Sequence, residues 1–266
     1  MSLKLMAAAG LGVAAAYALQ IWRSRQAARR ALSGSTLHFF ALPGRAEATR
    51  LALTIAGIDF EDRRFSFPEW KDLKPKTLWA SAPVLELKDG TRIGQARSIL
   101  RLVGKAGGLY PTDAMRAQRV DELMDALDDV LVTANSLGQG MDSAEKARLR
   151  QESAANGKLH MLLTRIDAFV GEHGGDGFAC GGVLTVADLY LFNVCSSAGS
   201  GFFDGLLPVH VLEPYANVQK VRRRVANLPA VRSWYDAQLE KPYMKTPMQG
   251  TTVGGIYQVF YDARDL

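Results

Sequence analysis

Residues 37–47 read Leu-His-Phe-Phe-Ala-Leu-Pro-Gly-Arg-Ala-Glu, and this stretch decides how the chain is expected to fold. The apolar residues from Leu37 to Leu42 predict a short β-strand. Pro43-Gly44 is a turn signal, and the apolar spacing from Arg45 to Ala56 is typical of an amphipathic helix. The stretch therefore predicts a strand, a tight turn and a helix, with Phe39 inside the strand.

The pattern continues as α/β and then becomes helical. A second strand is predicted at Asp59–Phe65, and a hairpin turns at Lys88-Asp89-Gly90. This order of strands and helices is that of a thioredoxin-like domain, and the break at 107–111 separates it from long helical segments. We expect four parts: an N-terminal segment with a basic linker (1–35), a thioredoxin-like domain (36–108), an all-helical domain (112–246) and a C-terminal extension (247–266). The helices of the second domain are expected at about 113–137, 143–172, 186–197 and 217–239, and the apolar end of the extension looks free to dock on another surface.

Composition excludes several classes of function. The 266 residues are 48% hydrophobic, enough for two packed domains. Residues 1–35 hold five of the 32 basic residues and no acidic one, which leaves 27 basic against 27 acidic residues in the rest of the chain. The net charge of +5 therefore gives no support to nucleic-acid binding. Cys180 and Cys195 have no paired spacing, so we expect neither a disulfide framework nor a metal site.

The N-terminal segment contains an uncharged run of 18 residues, Leu5–Trp22. As a helix it would measure about 27 Å, just enough to span a bilayer. Trp22 and the arginines that follow suit a membrane boundary, so we predict an uncleaved transmembrane anchor. A cleaved mitochondrial transit peptide and a secretory signal are the alternatives. The positive flank places the folded body in the cytosol or the mitochondrial matrix, and the absence of acidic residues before Glu47 favours the mitochondrial inner membrane.

The quoted stretch resembles the start of the sigma-class (prostaglandin D synthase-like) glutathione transferases. In that family a strand ending in Tyr-Phe is followed by Gly-Arg-Ala-Glu. The resemblance covers about Leu37 to Trp234 and implies the glutathione transferase fold, an α/β thioredoxin-like domain followed by an all-α domain. It also places the family's catalytic tyrosine at Phe39, which has no hydroxyl to hydrogen-bond the glutathione sulfur and favour the thiolate.

The resemblance implies further glutathione contacts. Trp70 and Lys74 match residues that hold the glycine end, and Ala82 precedes a proline, Pro83, that matches the family's cis-proline. Gln95 matches the residue that holds the γ-glutamyl group. Two more matched positions are Arg45, beside the sulfur, and Asp129, which in the family reaches across a homodimer interface. Thr185 and Asp188 match a structural capping box.

Other residues depart from the family pattern or have plainer readings. Ala96 replaces a serine that grips the γ-glutamyl carboxylate, and His38 points to the opposite face of its strand from Phe39. Trp70 and Lys74 could equally be ordinary packing and surface residues. The acidic cluster Asp125, Asp128 and Asp129 binds a divalent ion in some relatives, but a solvated helix face is the favoured reading. The run 222–224 is also expected to be a solvated arginine face.

Three functions remain open on the sequence. The first is a catalytically impaired transferase-like protein that serves as an accessory subunit of a membrane complex. The second is an active membrane-tethered glutathione transferase or isomerase. The third is a glutathione-binding or ligand-carrying module without turnover. Phe39 and Ala96 favour the first, and the intact glutathione contacts favour the second.

Overall fold

A computed structural model of the protein describes residues 3–175, 177–248 and 251–265. The strands and helices are, in chain order, α1 (Leu3–Leu32), β1 (Ser35–Phe40), α2 (Glu47–Ala56), β2 (Phe60–Phe65), α3 (Phe67–Leu73), β3 (Val84–Glu86), β4 (Arg92–Gly94), α4 (Ala96–Gly107), α5 (Ala114–Ser136), α6 (Ser143–Asn156), α7 (Lys158–His173), α8 (Val186–Ala198), α9 (Pro208–Val211), α10 (Ala216–Ala226), α11 (Pro229–Leu239), β5 (Pro247–Met248), β6 (Thr251–Thr252) and α12 (Val253–Asp262). Short 3₁₀ turns precede α2, follow α3 and follow α11.

The first domain is a four-stranded mixed sheet in the order β2-β1-β3-β4. β1 pairs parallel with β2 and antiparallel with β3, and β3 pairs antiparallel with β4. Leu37, Leu51, Leu85 and Val103 come from β1, α2, β3 and α4, and each is fully buried. The sheet and these two helices therefore share one apolar core, as the strand and helix pattern of the sequence predicted.

The second domain is all-helical and is built around α8. Every residue of α8 from Val186 to Ala198 is buried, and the helix packs against α2, α5, α10 and α12. A helix that is buried on all sides is expected to be apolar all round. The predicted architecture, a thioredoxin-like domain followed by an all-α domain, is confirmed.

Two of the predicted long helices are each split in two. The helix expected at 143–172 breaks at Gly157, whose backbone is extended between α6 and α7. The helix expected at 217–239 ends at Ala226, and Pro229 begins α11. A proline suits the first turn of a helix and disfavours helical backbone in the residue before it, which explains the second break.

The run 222–224 is not wholly a solvated face, contrary to the expectation. Arg222 is 2% exposed, its Nε donates to Ser196 Oγ at 3.1 Å, and its Nη2 donates to the carbonyl of Val259 at 3.0 Å. Burial lowers the pKa of its guanidinium to about 10. Arg222 therefore joins α10 to α8 and α12, whereas Arg223 and Arg224 are exposed as predicted.

The predicted transmembrane anchor at Leu5–Trp22 is not supported. The segment lies within α1, which packs on α4 and continues to Leu32. Only Ser33 and Gly34 separate α1 from β1. Among the described residues, no helix is both long enough and apolar enough to cross a membrane. The side chains of residues 5–14, which make up more than half of the predicted span, lie outside the described part of the structure.

The C-terminal extension docks on its own chain and is not free for another surface. Val253, Ile256, Tyr257 and Phe260 of α12 are all at most 2% exposed. Phe260 contacts Phe192 of α8 edge-to-face, with the ring centroids 5.3 Å apart. The apolar residues that suggested an external partner therefore complete the core of the helical domain.

Candidate functional site

Phe39 lies in β1 and faces a cavity between the two domains. Side chains alternate along β1, so Leu37 and Phe39 are buried on one side while His38 lies on the other. Phe39 is 5% exposed and lines an apolar cavity of about 230 Å³ together with Phe40, Leu42 and Arg45. A tyrosine at this position would place its hydroxyl at the cavity wall; phenylalanine presents only carbon.

The turn after β1 is held tightly against Phe39. Gly44 has φ +48°, and a Cβ added there would stand 2.7 Å from Cε1 of Phe39. Its carbonyl accepts a hydrogen bond of 2.9 Å from Asn193 Nδ2 of α8. Glycine is therefore required both for the backbone conformation and for the close approach. Asn193 fixes the turn to the helical domain, a role that no sequence motif indicated.

Arg45 reaches the same cavity but is already ion-paired. Its Nη1 lies 2.7 Å from Asp128 Oδ1 on α5, and the hydroxyl of Tyr190 donates to the same oxygen at 2.9 Å. Partial burial raises the pKa of Asp128, but Arg45, Tyr190 and Arg97 outweigh it and hold the pKa below its usual value. Asp128 is thus an anionic anchor for Arg45, and Asp125 pairs with Arg97 and Arg101.

A buried charge network lies behind Phe39. Arg50, fully buried, donates from Nη1 to Glu47 Oε2 at 2.9 Å and to the carbonyl of Leu42 at 2.9 Å, and from Nε to Asp62 Oδ1 at 2.8 Å. Burial raises the pKa of Asp62, but Arg50 and Arg64 outweigh it, so the pKa is lowered. The network fixes the backbone at the end of β1. The signal that could have revealed it is the pair of opposite charges three residues apart in an otherwise apolar helix.

Trp70 and Ala82 lie together on the other side of β1. Both line a small cavity of about 120 Å³ that also contains His38. Trp70 stacks on Phe65 with the ring centroids 5.3 Å apart and an interplanar angle of 8°. Lys74 is exposed at the end of α3. Ala82 precedes a cis peptide bond to Pro83, as the resemblance implies.

Gln95 marks the amino end of α4. It has φ +70° and ψ +104°, a conformation that non-glycine residues rarely adopt. Backbone in this conformation costs about 1–3 kcal/mol and persists only where the surrounding structure fixes it. α4 has no side-chain N-cap, so backbone N–H groups near Ala96 remain for an anionic ligand group. Asp129 is exposed on α5, and neither it nor Gln95 lines the two cavities at β1.

Two serines that sequence reasoning missed face Phe39 from the helical domain. Ser197 and Ser200 line the apolar cavity, and each hydroxyl has a protein acceptor, Asn193 Oδ1 at 3.2 Å and the carbonyl of Ser197 at 2.7 Å. Ile256 of α12 also lines this cavity. The serine protons are engaged, so neither hydroxyl replaces the missing phenol as a donor.

Thr185 and Asp188 cap α8. The Asp188 carboxylate accepts from the backbone N–H and the hydroxyl of Thr185, at 2.7 and 2.9 Å, and from the N–H of Ala179 at 2.5 Å. The two cysteines, Cys180 and Cys195, are buried, and burial raises the pKa of each thiol to about 12. These residues stabilise the helical domain and lie outside the chemistry at Phe39.

The arrangement fits glutathione only in part. The residues around Trp70, Ala82 and the amino end of α4 offer an indole, an unpaired backbone edge and free N–H groups, which suit a peptide with carboxylate ends. The cavity at Phe39, where the resemblance places the sulfur, is lined chiefly by carbon. A thiol placed there would meet the ion-paired Arg45, but among the described lining residues the two hydroxyls, of Ser197 and Ser200, already donate to other acceptors.

Comparisons with known proteins agree with this geometry. Residues 35–105 match the glutathione S-transferase N-terminal domain, and residues 129–238 match a glutathione S-transferase C-terminal domain. The chain is 29% identical to a hematopoietic prostaglandin D synthase of Gallus gallus, over 74% of this chain and 93% of that protein. It is 28% identical to glutathione S-transferase 2 of Manduca sexta, over 77% and 97%. A solved structure of rat hPGDS with a quinoline superimposes with a TM-score of 0.66 at 25% identity, covering 78% of this chain and 98% of that one.

Proposed function

Because this chain belongs to the glutathione S-transferase family, we propose that it is a transferase-like protein with impaired catalysis. It keeps the fold and part of the glutathione pocket but lacks the group that activates the thiol. The observation that carries this proposal is the buried ring of Phe39 in a cavity whose lining hydroxyls are both engaged elsewhere. Its role is then structural or accessory, within an assembly of proteins.

The expected loss of activity follows from one hydrogen bond. A hydrogen bond to a charged group is worth about 1.5–3 kcal/mol, which corresponds to roughly ten- to a hundredfold in thiolate population. Arg45 supplies a positive charge nearby, but Asp128 at 2.7 Å neutralises most of its field. Ala96 removes a second ligand group at the glutathione carboxylate. The two losses act on different steps: Phe39 weakens thiolate formation, and Ala96 weakens the binding of glutathione.

An active glutathione transferase is the second candidate, and one specific observation favours it. Gln95 retains a strained left-handed backbone at the amino end of α4, directly after Gly94, which pairs with Val84 beside the cis peptide bond of Ala82 and Pro83. Strain of this kind is usually kept where a ligand site needs it. If the protein is active, its chemistry is that of a glutathione transferase.

The accessory role is supported by a surface outside the family domains. The described part of α1 exposes Tyr17 by 65%, Leu19 by 45% and Trp22 by 57%. Exposed aromatic and aliphatic side chains on one helix suit a protein partner. Membrane attachment and a mitochondrial location rest on the composition of the N-terminal segment alone, and a homodimer through the Asp129 face is likewise a prediction.

Two assays on the full chain test the proposal. We expect retention on glutathione-agarose, with elution by free glutathione, and no conjugation of a generic aryl halide above the rate without protein. Introducing Phe39→Tyr should raise the conjugation rate by roughly ten- to a hundredfold. Phe202→Tyr adds the same hydroxyl to the opposite wall of the cavity and should leave the rate unchanged. Wild-type turnover comparable to that of Phe39→Tyr would overturn the proposal and establish the second candidate.

A further inference from the structure

A groove lies between α1 and the segment that joins α4 to α5. It has a volume of about 410 Å³, and small-molecule sites usually measure roughly 300–1,000 Å³. One wall includes Ser24 and Arg25 of α1, and the other includes Lys105 of α4 and the residues that follow that helix. The groove shares no lining residue with the cavity at Phe39. The family match begins at residue 35, so α1 adds this groove to the family domains.

Two basic side chains line the groove, one from each wall. Arg25 is half-buried and Lys105 is exposed. No aspartate or glutamate is found among the described residues that line it. Within the described part of the chain, neither basic side chain takes part in an ion pair. The groove therefore carries positive charge without a counter-charge of its own.

The carboxyl end of α4 reduces this charge but does not cancel it. Gly108 caps α4, and a Cβ added there would stand 3.9 Å from Arg25 Nη1. The carboxyl end of a helix is equivalent to about half a negative charge. Asp121, which accepts from the hydroxyl of Tyr110 at 2.6 Å, is paired with Arg101. Two full positive charges therefore exceed the negative charge that reaches the groove.

The ring of Tyr110 forms part of the groove wall and orients Lys105. It lies 5.0 Å from Lys105 Nζ, within the range of a cation–π contact. Partial burial, together with the hydrogen bond to Asp121, raises the pKa of Tyr110 to about 12. Its hydroxyl therefore stays neutral and adds no negative charge to the groove.

The polar side chains of the groove can supply many hydrogen-bond donors. The guanidinium and the ammonium only donate, and the hydroxyls of Ser24 and Thr112 and the amide of Gln20 can also donate. A phosphate group matches this lining, because it has three strong acceptor oxygens and nearly two negative charges. Ile21 and Pro111 place apolar surface in the same groove, which suits the organic part of an ester.

We propose that this groove binds a phosphate monoester, with the phosphate between Arg25 and Lys105. A soluble organic phosphate and the headgroup of phosphatidate share this chemistry. The inference goes beyond the proposed function, because the α1 wall lies outside the family domains and the binding requires neither glutathione nor a thiolate.

Calorimetric titration of the full chain without glutathione tests this inference, with phenyl phosphate and phenol as probes. We expect one phenyl phosphate per chain, bound at least about tenfold more tightly than phenol, because charge-assisted hydrogen bonds are stronger than neutral ones. Arg25→Gln and Lys105→Gln should each weaken this binding about tenfold. Arg23→Gln is the matched control, since Arg23 is an exposed arginine of α1 that does not line the groove. It should leave the affinity unchanged, and all three variants should unfold at nearly the wild-type temperature.

Vesicles distinguish the two sources of the phosphate. The full chain is sedimented with vesicles of phosphatidylcholine alone or mixed with phosphatidate. Sedimentation that requires phosphatidate, and that Arg25→Gln and Lys105→Gln reduce more than Arg23→Gln does, would identify the lipid headgroup. Binding of phenyl phosphate without such sedimentation would identify a soluble ester.

Three results would overturn the proposal. They are equal affinity for phenyl phosphate and phenol, equal weakening in all three variants, and no binding of phosphate in either form. None of them bears on thiolate activation, since glutathione is absent.

Discussion

At the scale of single residues, the ring of Phe39 is held by contacts that do not require a hydroxyl. The guanidinium carbon of Arg50 lies 5.7 Å from its centroid, and Phe40 meets it edge-to-face with the centroids 5.3 Å apart. The backbone of Gly44 closes the remaining side. Phenylalanine is therefore well packed here, and the fold does not depend on the group that the family uses for catalysis.

The close approach of Gly44 to Phe39 gives a stability prediction. Gly44→Ala should lower the free energy of unfolding by about 1–3 kcal/mol more than Gly57→Ala does. Both glycines have left-handed φ, +48° and +60°, but a Cβ on Gly57 would meet no atom within 4 Å. The control therefore separates the backbone cost from the clash of the new Cβ with Phe39 and Leu42, each of which would stand 2.7 Å away. Urea denaturation of both variants provides the measurement, and equal losses would contradict the described turn.

At the scale of secondary-structure elements, α12 joins the two domains through one hydroxyl. Tyr257 is fully buried; its oxygen accepts from Arg64 Nη1 at 2.8 Å, and its hydroxyl lies 3.4 Å from Glu47 Oε2. Glu47 also accepts from the indole of Trp234 on α11 at 2.9 Å. The C-terminal helix thereby contacts β2 and α2 of the first domain and α11 of the second.

Removal of this hydroxyl should be costly. Tyr257→Phe leaves a buried charged donor of Arg64 without its partner, so we expect a loss of about 1–3 kcal/mol in the free energy of unfolding. Tyr261→Phe is the matched control on the same helix, because its hydroxyl donates to the exposed Asp236 at 2.6 Å. We expect less than about 1 kcal/mol for that exposed contact. Similar losses in chemical denaturation would show that α12 is not anchored through Arg64.

The ion pairs between α2 and β2 predict a dependence of stability on pH. Arg50 and Arg64 lower the pKa of Asp62 below its ordinary value of 3.8 in the folded state. The ion pairs of Asp62 therefore stabilise the fold fully above about pH 4, and this stabilisation is lost as the pH falls through the lower folded-state pKa. The advantage of the wild type over Asp62→Asn should therefore be constant near neutrality and shrink below about pH 4. Denaturation midpoints across this range measure it; an advantage that grows on acidification would contradict the ion pairs. Asp236→Asn, at an exposed pair with Arg264, should show little effect at any pH.

At the scale of the whole molecule, the sequence predicted the architecture well because local patterns determine it. The alternation in β1, the Asp-Gly hairpin turn and the capping residues Thr185 and Asp188 are short-range signals, and the structure contains all of these elements. The split helices were not predicted, although Gly157 and Pro229 are local breaking signals inside the expected ranges.

The candidate site was predicted less completely, since its parts meet only in three dimensions. The resemblance supplied Phe39, Arg45, Trp70, Ala82 and Gln95. It could not reveal that Asp128 neutralises Arg45 or that Ser197 and Ser200 face the cavity, because these residues come from helices far along the chain. The anchor prediction rested on the length of a run of 18 uncharged residues, and no helix in the described part of the chain is long and apolar enough to support it.

The central claim is that the pocket keeps its shape but no longer activates a thiol. The most direct test is an ultraviolet titration of the thiol of bound glutathione in the wild type and in Phe39→Tyr. We predict that the wild-type complex titrates near the ordinary thiol pKa of about 8.5, and that the tyrosine lowers this value by about one to two units. A wild-type complex whose thiol already titrates well below the ordinary value, with no change in Phe39→Tyr, would contradict the account.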